Sequence, residues 1–396
     1  MKKALQELLR TVSLRLPEVP FEVLFWDGDR EAFGNGKPVF TLTFTTRKAA
    51  RAILGRGATG FREEYVAGTI DVSGDLRQLL RAGMDPLVQN MKVSFKTKLL
   101  ILLQHLRSLN TPRRAPVNIA YHYELGDDFF RHYLDKSLTY SCAYFRNRDD
   151  TLERAQEQKY EHICRKLNLR EGESLVDIGC GWGGMLLYAA RHYKVRCVGC
   201  TLSRNQAEYA RKRAVQEGLE KTITVIRKDY RNVTGKFDKL VSIGMFEHVG
   251  KGYAPTFMKK MRDLLRPGGV GLLHTVGKER NAPADPWTTK YIFPGTHIPI
   301  LDHVIRFMGK SGLVPTDIEN LRLHYASTLE EWGRRFEANA SIIEKMFDAR
   351  FVRTWRMYLN GSEAAFRYGN LRLYQIAFTN GLNNELPMTR DSLYLN

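Results

Sequence analysis

The sequence predicts an α/β protein with a small α+β domain over residues 1–90 and a doubly wound, mostly parallel sheet domain over 121–396. A basic connector over 91–120 joins them. Three observations carry this reading. Short apolar strands alternate with helix-period segments between residues 152 and 274, the rhythm of a parallel sheet with helical crossovers. One strand runs straight into a glycine-rich turn, Leu175-Val-Asp-Ile-Gly-Cys-Gly-Trp-Gly-Gly184, with a helical run behind it. The first 90 residues instead carry short β-branched and aromatic runs bounded by Gly and Pro.

In chain order, Phe21–Trp26 and Val39–Phe44 read as strands, Thr46–Leu54 as an amphipathic helix, and Ala67–Asp75 as strand and turn followed by helix. This part shows no catalytic constellation. The connector has no acid between Asp85 and Glu124, while Lys92, Lys96, Lys98, Arg107, Arg113 and Arg114 surround the apolar run Leu99–Leu106. Such a segment suits an anionic membrane surface. An interdomain helix with its leucines in the core fits the same residues.

Further on, Leu152–Leu167 reads as helix, Ser174–Ile178 as strand, Gly184–Tyr193 as helix, Val195–Thr201 as strand and Ser203–Glu217 as helix. Strands Thr222–Lys228 and Lys239–Ile243 follow, then helix Tyr253–Leu265, a Pro267-Gly-Gly turn and strand Val270–His274. The rhythm breaks over Gly277–Pro299, and residues 327–380, rich in Trp, Phe, Tyr and Met, read as helical. The tail after Gly381 carries no readable motif.

Composition narrows the function classes. A hydrophobic share of 43% gives ample core, and 61 Lys and Arg against 43 Asp and Glu give a net charge of +18, which favours an anionic partner. Five cysteines, an odd number, form no disulfide framework, and Cys197-x-x-Cys200 lies in a strand-like run without a second pair to complete a zinc site. Neither a signal-peptide apolar region nor a membrane-spanning apolar run is present. The expectation is a cytoplasmic protein at the inner face of a membrane, binding no metal and no nucleic acid, since no Asn/Asp-Pro-Pro-Tyr/Phe motif for a flipped base occurs.

The glycine turn is the most informative stretch. Glycine lets backbone approach a ligand closely, and the carboxyl ends of strands in open α/β sheets are where ligands bind. Asp177 places a carboxylate beside the turn, fit to hold a cationic group. The spacing Gly179-x-Gly181-x-Gly183 is not the G-x-G-x-x-G of dinucleotide folds. It resembles the first glycine-rich motif of S-adenosylmethionine-dependent methyltransferases.

Further segments share one order and register: His122–Phe130, Tyr140–Phe145, Thr201-Leu-Ser203 with Gln206, Lys228–Arg231, Gly244–Gly250, His274–Gly277, Tyr291–Pro299 and Tyr325. Together, over roughly residues 118–380, they resemble the cyclopropane-fatty-acyl-phospholipid synthase family, relatives of the mycolic acid cyclopropane synthases. The domain before residue 120 looks like the phospholipid-acting branch. The resemblance implies a Rossmann-like class I methyltransferase domain with a helical lipid-site insertion. It also implies methylene transfer from S-adenosylmethionine to cis double bonds of unsaturated phospholipid acyl chains in anionic membranes. A methyl-branched or methylene-bearing product of the same carbocation is the alternative, and a lipid-binding module describes part of the chain.

The chemistry needs few groups. Methylating an isolated alkene creates a carbocation, which must lose a proton from the new methyl group to close the ring. Aromatic faces stabilise cationic charge, water must be excluded, and a weak but positioned base suffices. The resemblance implies that bicarbonate is that base, held by Cys142, Glu247, His274, Tyr325 and the backbone of Val276, with Tyr140 and Ser141 at the sulfonium end. It places Asp177, Gly179, Gly181, Gly183, Thr201, Ser203, Gln206, Asp229 and Tyr230 on the cofactor, Asp229 accepting from the adenine amino group. The Cys142 thiol is read as a weak donor, not a nucleophile. A homodimer would set two basic surfaces on one membrane.

Overall fold

The computed structural model describes residues 1–84, 125–280 and 285–394. The basic connector and the His122 end of its motif lie outside the described residues. The chain begins α1 (Lys2–Arg15), β1 (Phe21–Leu24), β2 (Arg30–Phe33), β3 (Phe40–Phe44), α2 (Arg47–Val66), β4 (Ile70–Gly74) and α3 (Leu76–Ala82). Next come α4 (Asp127–Arg131), α5 (Leu152–Lys166), β5 (Ser174–Ile178), α6 (Gly184–Tyr193), β6 (Arg196–Thr201), α7 (Arg204–Gln216) and β7 (Ile223–Arg227). They continue as β8 (Phe237–Ile243), α8 (Ala254–Leu264), β9 (Leu265–Lys278), α9 (Pro286–Tyr291), α10 (Leu301–Lys310) and β10 (Leu313–Asn320). The last are α11 (Arg322–Ala338), α12 (Ala340–Met346), α13 (Ala349–Arg367), β11 (Leu371–Asn380) and α14 (Asp391–Tyr394).

Two compact units result. The first takes in residues 1–84, 285–292 and 329–370, so its boundaries differ from the expected division at residues 90 and 121. Its sheet has the order β2-β1-β3-β4, with β1 parallel to β3 and the other pairs antiparallel. Alternation along β3 buries Phe40, Leu42 and Phe44, and Leu5 of α1 and Ala49 and Ala50 of α2 cover them. The Thr46 hydroxyl caps α2, and Asp75 caps α3. Residues 349–367 join this unit through Arg353, which donates to the carbonyls of Tyr65 and Ile70, each at 2.6 Å. Its guanidinium lies 4.1 Å over the Tyr65 ring.

The second unit is a seven-stranded sheet ordered β10-β11-β9-β8-β5-β6-β7. The run β9-β8-β5-β6-β7 is parallel, and β11 is antiparallel to both its neighbours. The doubly wound expectation holds, with strand positions matching closely from β5 to β8. Residues 371–380, expected to be helical, form β11 instead. Leu373 to Thr379 are all buried, and a continuous apolar run buried on both faces has no period that separates strand from helix. Edge strand β10 alternates half-buried and exposed positions after the buried Leu313 and accommodates Pro315, as an edge allows.

Period-two alternation along β5 determines what reaches the site. Leu175 faces a core built with α5, α6 and α7, including Ile163, Leu186 and Ala207. Val176 and Ile178 face the opposite core with Phe257, Met258 and Met261 of α8. Asp177 therefore points to the α5 side. The chain winds outward from β5 to β7 and returns to β8 on the other flank of β5, so the switch point lies between the ends of β5 and β8.

The tail has a structural role that no motif announced. Asn383 Nδ2 donates to the Gly268 carbonyl at 2.7 Å, Arg390 pairs with Asp317 at 2.5 Å, and Leu393 is buried. All five cysteines are buried and unpaired. Among the described residues no helix is long and apolar enough to cross a membrane, and no group of three or more His, Cys, Asp or Glu could hold a metal ion.

Candidate active site

The turn after β5 opens onto a cavity with about 920 Å³ of empty space, its mouth included. Gly179, at φ +88°, sits where a Cβ would lie 2.7 Å from Met245 Cγ, so glycine alone lets the ends of β5 and β8 approach. A Cβ at Gly181, at φ +53°, would meet nothing within 4 Å, which leaves backbone bare at the cavity wall. The N–H groups of Gly179 and Cys180 both donate to the Cys200 carbonyl at 3.0 Å, tying the turn to β6. Of the residues expected on the cofactor, Tyr140, Ser141, Asp177, Gly179, Gly181, Thr201 and Gln206 line this cavity.

One face of α5 shapes the opposite wall. Gln156 Nε2 donates to the carbonyls of Thr139 at 3.3 Å and Ser141 at 2.9 Å. Lys159 Nζ donates to Ser141 Oγ at 3.0 Å, and the Tyr160 hydroxyl lies 2.7 Å from Thr139 Oγ1. Helical spacing of three and four puts these side chains on one face. Burial pushes Asp177 up to about 7 and Lys159 down to about 7, each resisted by the other's charge. An aromatic group stands beside the wall: Phe130 lies 5.4 Å from Tyr140 and 5.2 Å from Trp182.

A second cluster lies at the ends of β8 and β9. Glu247, in the short helical turn after β8, accepts the Val276 N–H on Oε1 at 2.5 Å, while its buried Oε2 has no partner. Burial raises its carboxyl to about 7 against the pull of that N–H. Its carbonyl accepts from His297 N at 2.9 Å, and the His248 ring lies 5.8 Å from Phe293, so residues 293–297 support this turn. On β9, His274 Nδ1 lies 3.2 Å from Gln375 Nε2 of β11. An amide N–H facing Nδ1 makes that nitrogen the acceptor and leaves the ring proton on Nε2. That Nε2 is buried without a partner, and burial pushes the ring's pKa well down, keeping it neutral.

Cys142 and Tyr325 are brought toward each other by backbone ties. Ala143 N donates to Thr328 Oγ1 at 3.0 Å and Phe145 N to His324 Nδ1 at 3.1 Å, lashing residues 142–145 to the first turns of α11, where Tyr325 is half-buried. The Cys142 thiol donates to the Ala143 carbonyl at 3.2 Å, and burial raises its pKa, so it is no thiolate.

Residues 110–376 match the family model described as Mycolic acid cyclopropane synthetase, two thirds of the chain. The chain belongs to the mycolic acid cyclopropane synthetase family. Residues 8–93 match a Domain of unknown function (DUF7884). The cyclopropane-fatty-acyl-phospholipid synthase of Escherichia coli K12 is 37% identical over 86% of this chain and 88% of its own length. A probable fatty acid methyltransferase of Pseudomonas putida is 32% identical over 96% of this chain and 98% of its own. Among solved structures, the cyclopropane synthase MmaA2 of Mycobacterium tuberculosis superposes with a TM-score of 0.64 at 33% identity, covering 67% of this chain and 98% of that one. A mycolic acid cyclopropane synthase CmaA1 solved with SAH has the same identity and score. The resemblance read from the sequence is borne out, and the chain is an S-adenosylmethionine-dependent enzyme of the methyltransferase class.

Within this cyclopropane synthetase frame some expected residues stand elsewhere. Asp229 does not line the cavity; it caps a short helical turn and pairs with Arg231 at 2.6 Å and 2.8 Å. Tyr230 is buried against Phe257, 5.1 Å away. Ser203 caps α7 by accepting Gln206 N, while the Thr201 hydroxyl donates to Gln206 Oε1 at 2.8 Å. Gly183 supplies the left-handed residue before α6. The Val276 backbone, expected on bicarbonate, donates its N–H to Glu247.

Lys159, Gln156 and Gln375 were not anticipated. A signal existed for the first two: along α5, Leu152, Gln156, Lys159 and Ile163 share a buried face, so polar residues interrupt an apolar stripe. Gln375 carries none, because its segment reads as helix from sequence and forms β11 in the structure.

Proposed function

We propose that the chain transfers a methylene group from S-adenosylmethionine to cis double bonds of unsaturated phospholipid acyl chains, forming cyclopropane rings. One observation carries the reading: Glu247 Oε2 and His274 Nε2 are a buried acceptor and a buried donor without partners. That pair fits bicarbonate, whose hydroxyl donates and whose oxygens accept. Gln375 Oε1, also buried without a partner, offers a further acceptor. The cavity wall fits S-adenosylmethionine, with a bare glycine turn, the Asp177 carboxylate for an ammonium group and aromatic faces for a sulfonium.

When bound, S-adenosylmethionine supplies an electrophilic methyl group and bicarbonate a base for the proton lost on ring closure. Trp182 and Tyr140, backed by Phe130, stabilise positive charge and keep water out. His274 donates from Nε2 while Glu247, ionised, accepts on Oε2. Tyr325 and Cys142, tied together through residues 143–145 and 324–328, would complete the ring of donors around the bicarbonate.

The excess of basic residues, with the basic stretch over 91–120, supports an anionic membrane as the surface where acyl chains are met. A homodimer would double that attraction. A second reading keeps the carbocation and forms a methyl-branched or methylene-bearing chain; the Pseudomonas putida relative, described as a probable fatty acid methyltransferase across nearly the whole chain, favours it.

Release of S-adenosylhomocysteine is the test, measured with vesicles of monounsaturated and of fully saturated phosphatidylglycerol. Release is expected only with the unsaturated lipid, to fall in carbon-dioxide-free buffer, and to return with added bicarbonate. Equal release on saturated vesicles would overturn the substrate, and indifference to bicarbonate would overturn the base.

A further inference from the structure

We infer that Lys159, acting through the Ser141 hydroxyl, positions the carboxylate at the amino-acid end of the bound cofactor. The inference rests on the cavity being the S-adenosylmethionine site.

Lys159 is 1% exposed, in the middle of α5, and yet lines the cavity. An ammonium has three N–H donors; among the described residues Lys159 makes one hydrogen bond, to Ser141 Oγ at 3.0 Å. Its ammonium also rests 4.3 Å from the Tyr160 ring centre. The carboxylates that favour its charge are Asp135 and Asp177. Asp135 is already occupied, accepting from the N–H groups of Ser137 and Thr139 at 2.8 Å and from the Thr139 hydroxyl at 3.3 Å. Asp177 lines the same cavity, and its Oδ1 is buried without a partner.

The wall therefore carries one cation with unused donors and one carboxylate with an unused acceptor. A buried charge without partners is costly, and a zwitterion satisfies both at once. Asp177 takes the α-ammonium, while the donors on the Lys159 and Ser141 side take the α-carboxylate. Burial pushing Lys159 down and Asp177 up is what two under-satisfied charges in one pocket produce. Gln156, one turn before Lys159, fixes the Ser141 carbonyl at 2.9 Å, so the hydroxyl is presented from a held backbone. A purely structural role for Lys159 would need only the Ser141 contact and would leave the amino-acid end unread.

Binding of S-adenosylhomocysteine and of 5′-methylthioadenosine, which lacks the amino-acid end, separates these roles. Calorimetry on the full chain would compare the natural protein with Lys159→Met and Ser141→Ala. Losing a hydrogen bond to a charged group predicts about tenfold or more weaker S-adenosylhomocysteine binding for Lys159→Met. Ser141→Ala should lose part of the same preference, and 5′-methylthioadenosine should bind all three proteins within about twofold. Equal weakening of both ligands, or of neither, would overturn the inference. Should Lys159→Met not fold, decarboxylated S-adenosylmethionine asks the same question of the natural protein. Binding at least about tenfold weaker than S-adenosylmethionine supports the role, and equal binding overturns it. If the natural protein bound no adenosyl ligand, the cofactor reading of the cavity would fail instead.

Discussion

Gln375 faces His274 across paired strands β11 and β9, its Nε2 3.2 Å from Nδ1 of the ring. The contact fixes the neutral tautomer with the proton on Nε2, the nitrogen buried without a partner. Gln375→Leu should lower product formation by about tenfold or more, the cost of leaving a buried polar group unsatisfied, with S-adenosylhomocysteine affinity unchanged. Gln375→Glu should move the ring proton to Nδ1, because a carboxylate accepts there. Ring nitrogen chemical shifts of His274 check both; an unchanged tautomer in Gln375→Leu would remove the positioning role.

Glu247 links function and stability through its raised pKa of about 7. In the folded state it binds a proton that the unfolded chain releases near the ordinary carboxylate range. Its contribution therefore lowers stability as pH rises from that range through about 7, and the cost is full above it. Glu247→Gln should stabilise the ligand-free protein at pH about 8 by on the order of 1–3 kcal/mol and change little at pH about 4. Turnover needs the ionised form and should fall below pH about 7, the acid limb vanishing with the residual activity of the variant. Thermal unfolding at the two pH values and a pH–rate profile read both effects.

Gly179→Ala tests the meeting of β5 and β8. The added methyl would meet Met245 at under 3 Å on a backbone at φ +88°, so stability should drop by about 1–3 kcal/mol. Adenosyl-ligand affinity should fall with it. Met245→Ala in the Gly179→Ala background should recover part of the stability, by relieving the clash, and none of the strain in φ.

Cys142→Ala should keep turnover within about tenfold, since a thiol that donates to a carbonyl contributes one weak hydrogen bond. Iodoacetamide should not label Cys142 in the folded protein, because burial raises its pKa and covers its sulfur. Labelling faster than global unfolding would contradict this placement.

Legibility followed the physics of each segment. The strand–turn–helix at 174–193 was readable because an apolar strand ending in glycines before a helical run has few other folds, and its boundaries match. β11 was not, because burial on both faces erases the period. The cluster of Glu247 and His274 could be read as residues at strand ends, but their orientation depends on Gln375 from β11, over a hundred positions beyond His274. The resemblance places Asp229 on the cofactor, while its pairing with Arg231 is local geometry that sequence spacing leaves open. The clamp of Gln156 and Lys159 on residues 139–141 appears only once α5 lies against that segment.

Ring formation on a phospholipid acyl chain separates cyclopropanation from simple methylation. The most direct test incubates the protein with monounsaturated phosphatidylglycerol vesicles, S-adenosylmethionine and bicarbonate, and analyses the acyl chains by mass spectrometry and proton NMR. The expected result is a mass gain of one CH₂, loss of the olefinic protons and appearance of cyclopropane ring protons upfield. The same mass gain with a branched methyl or a new olefinic signal, or no change in the lipid, would contradict it.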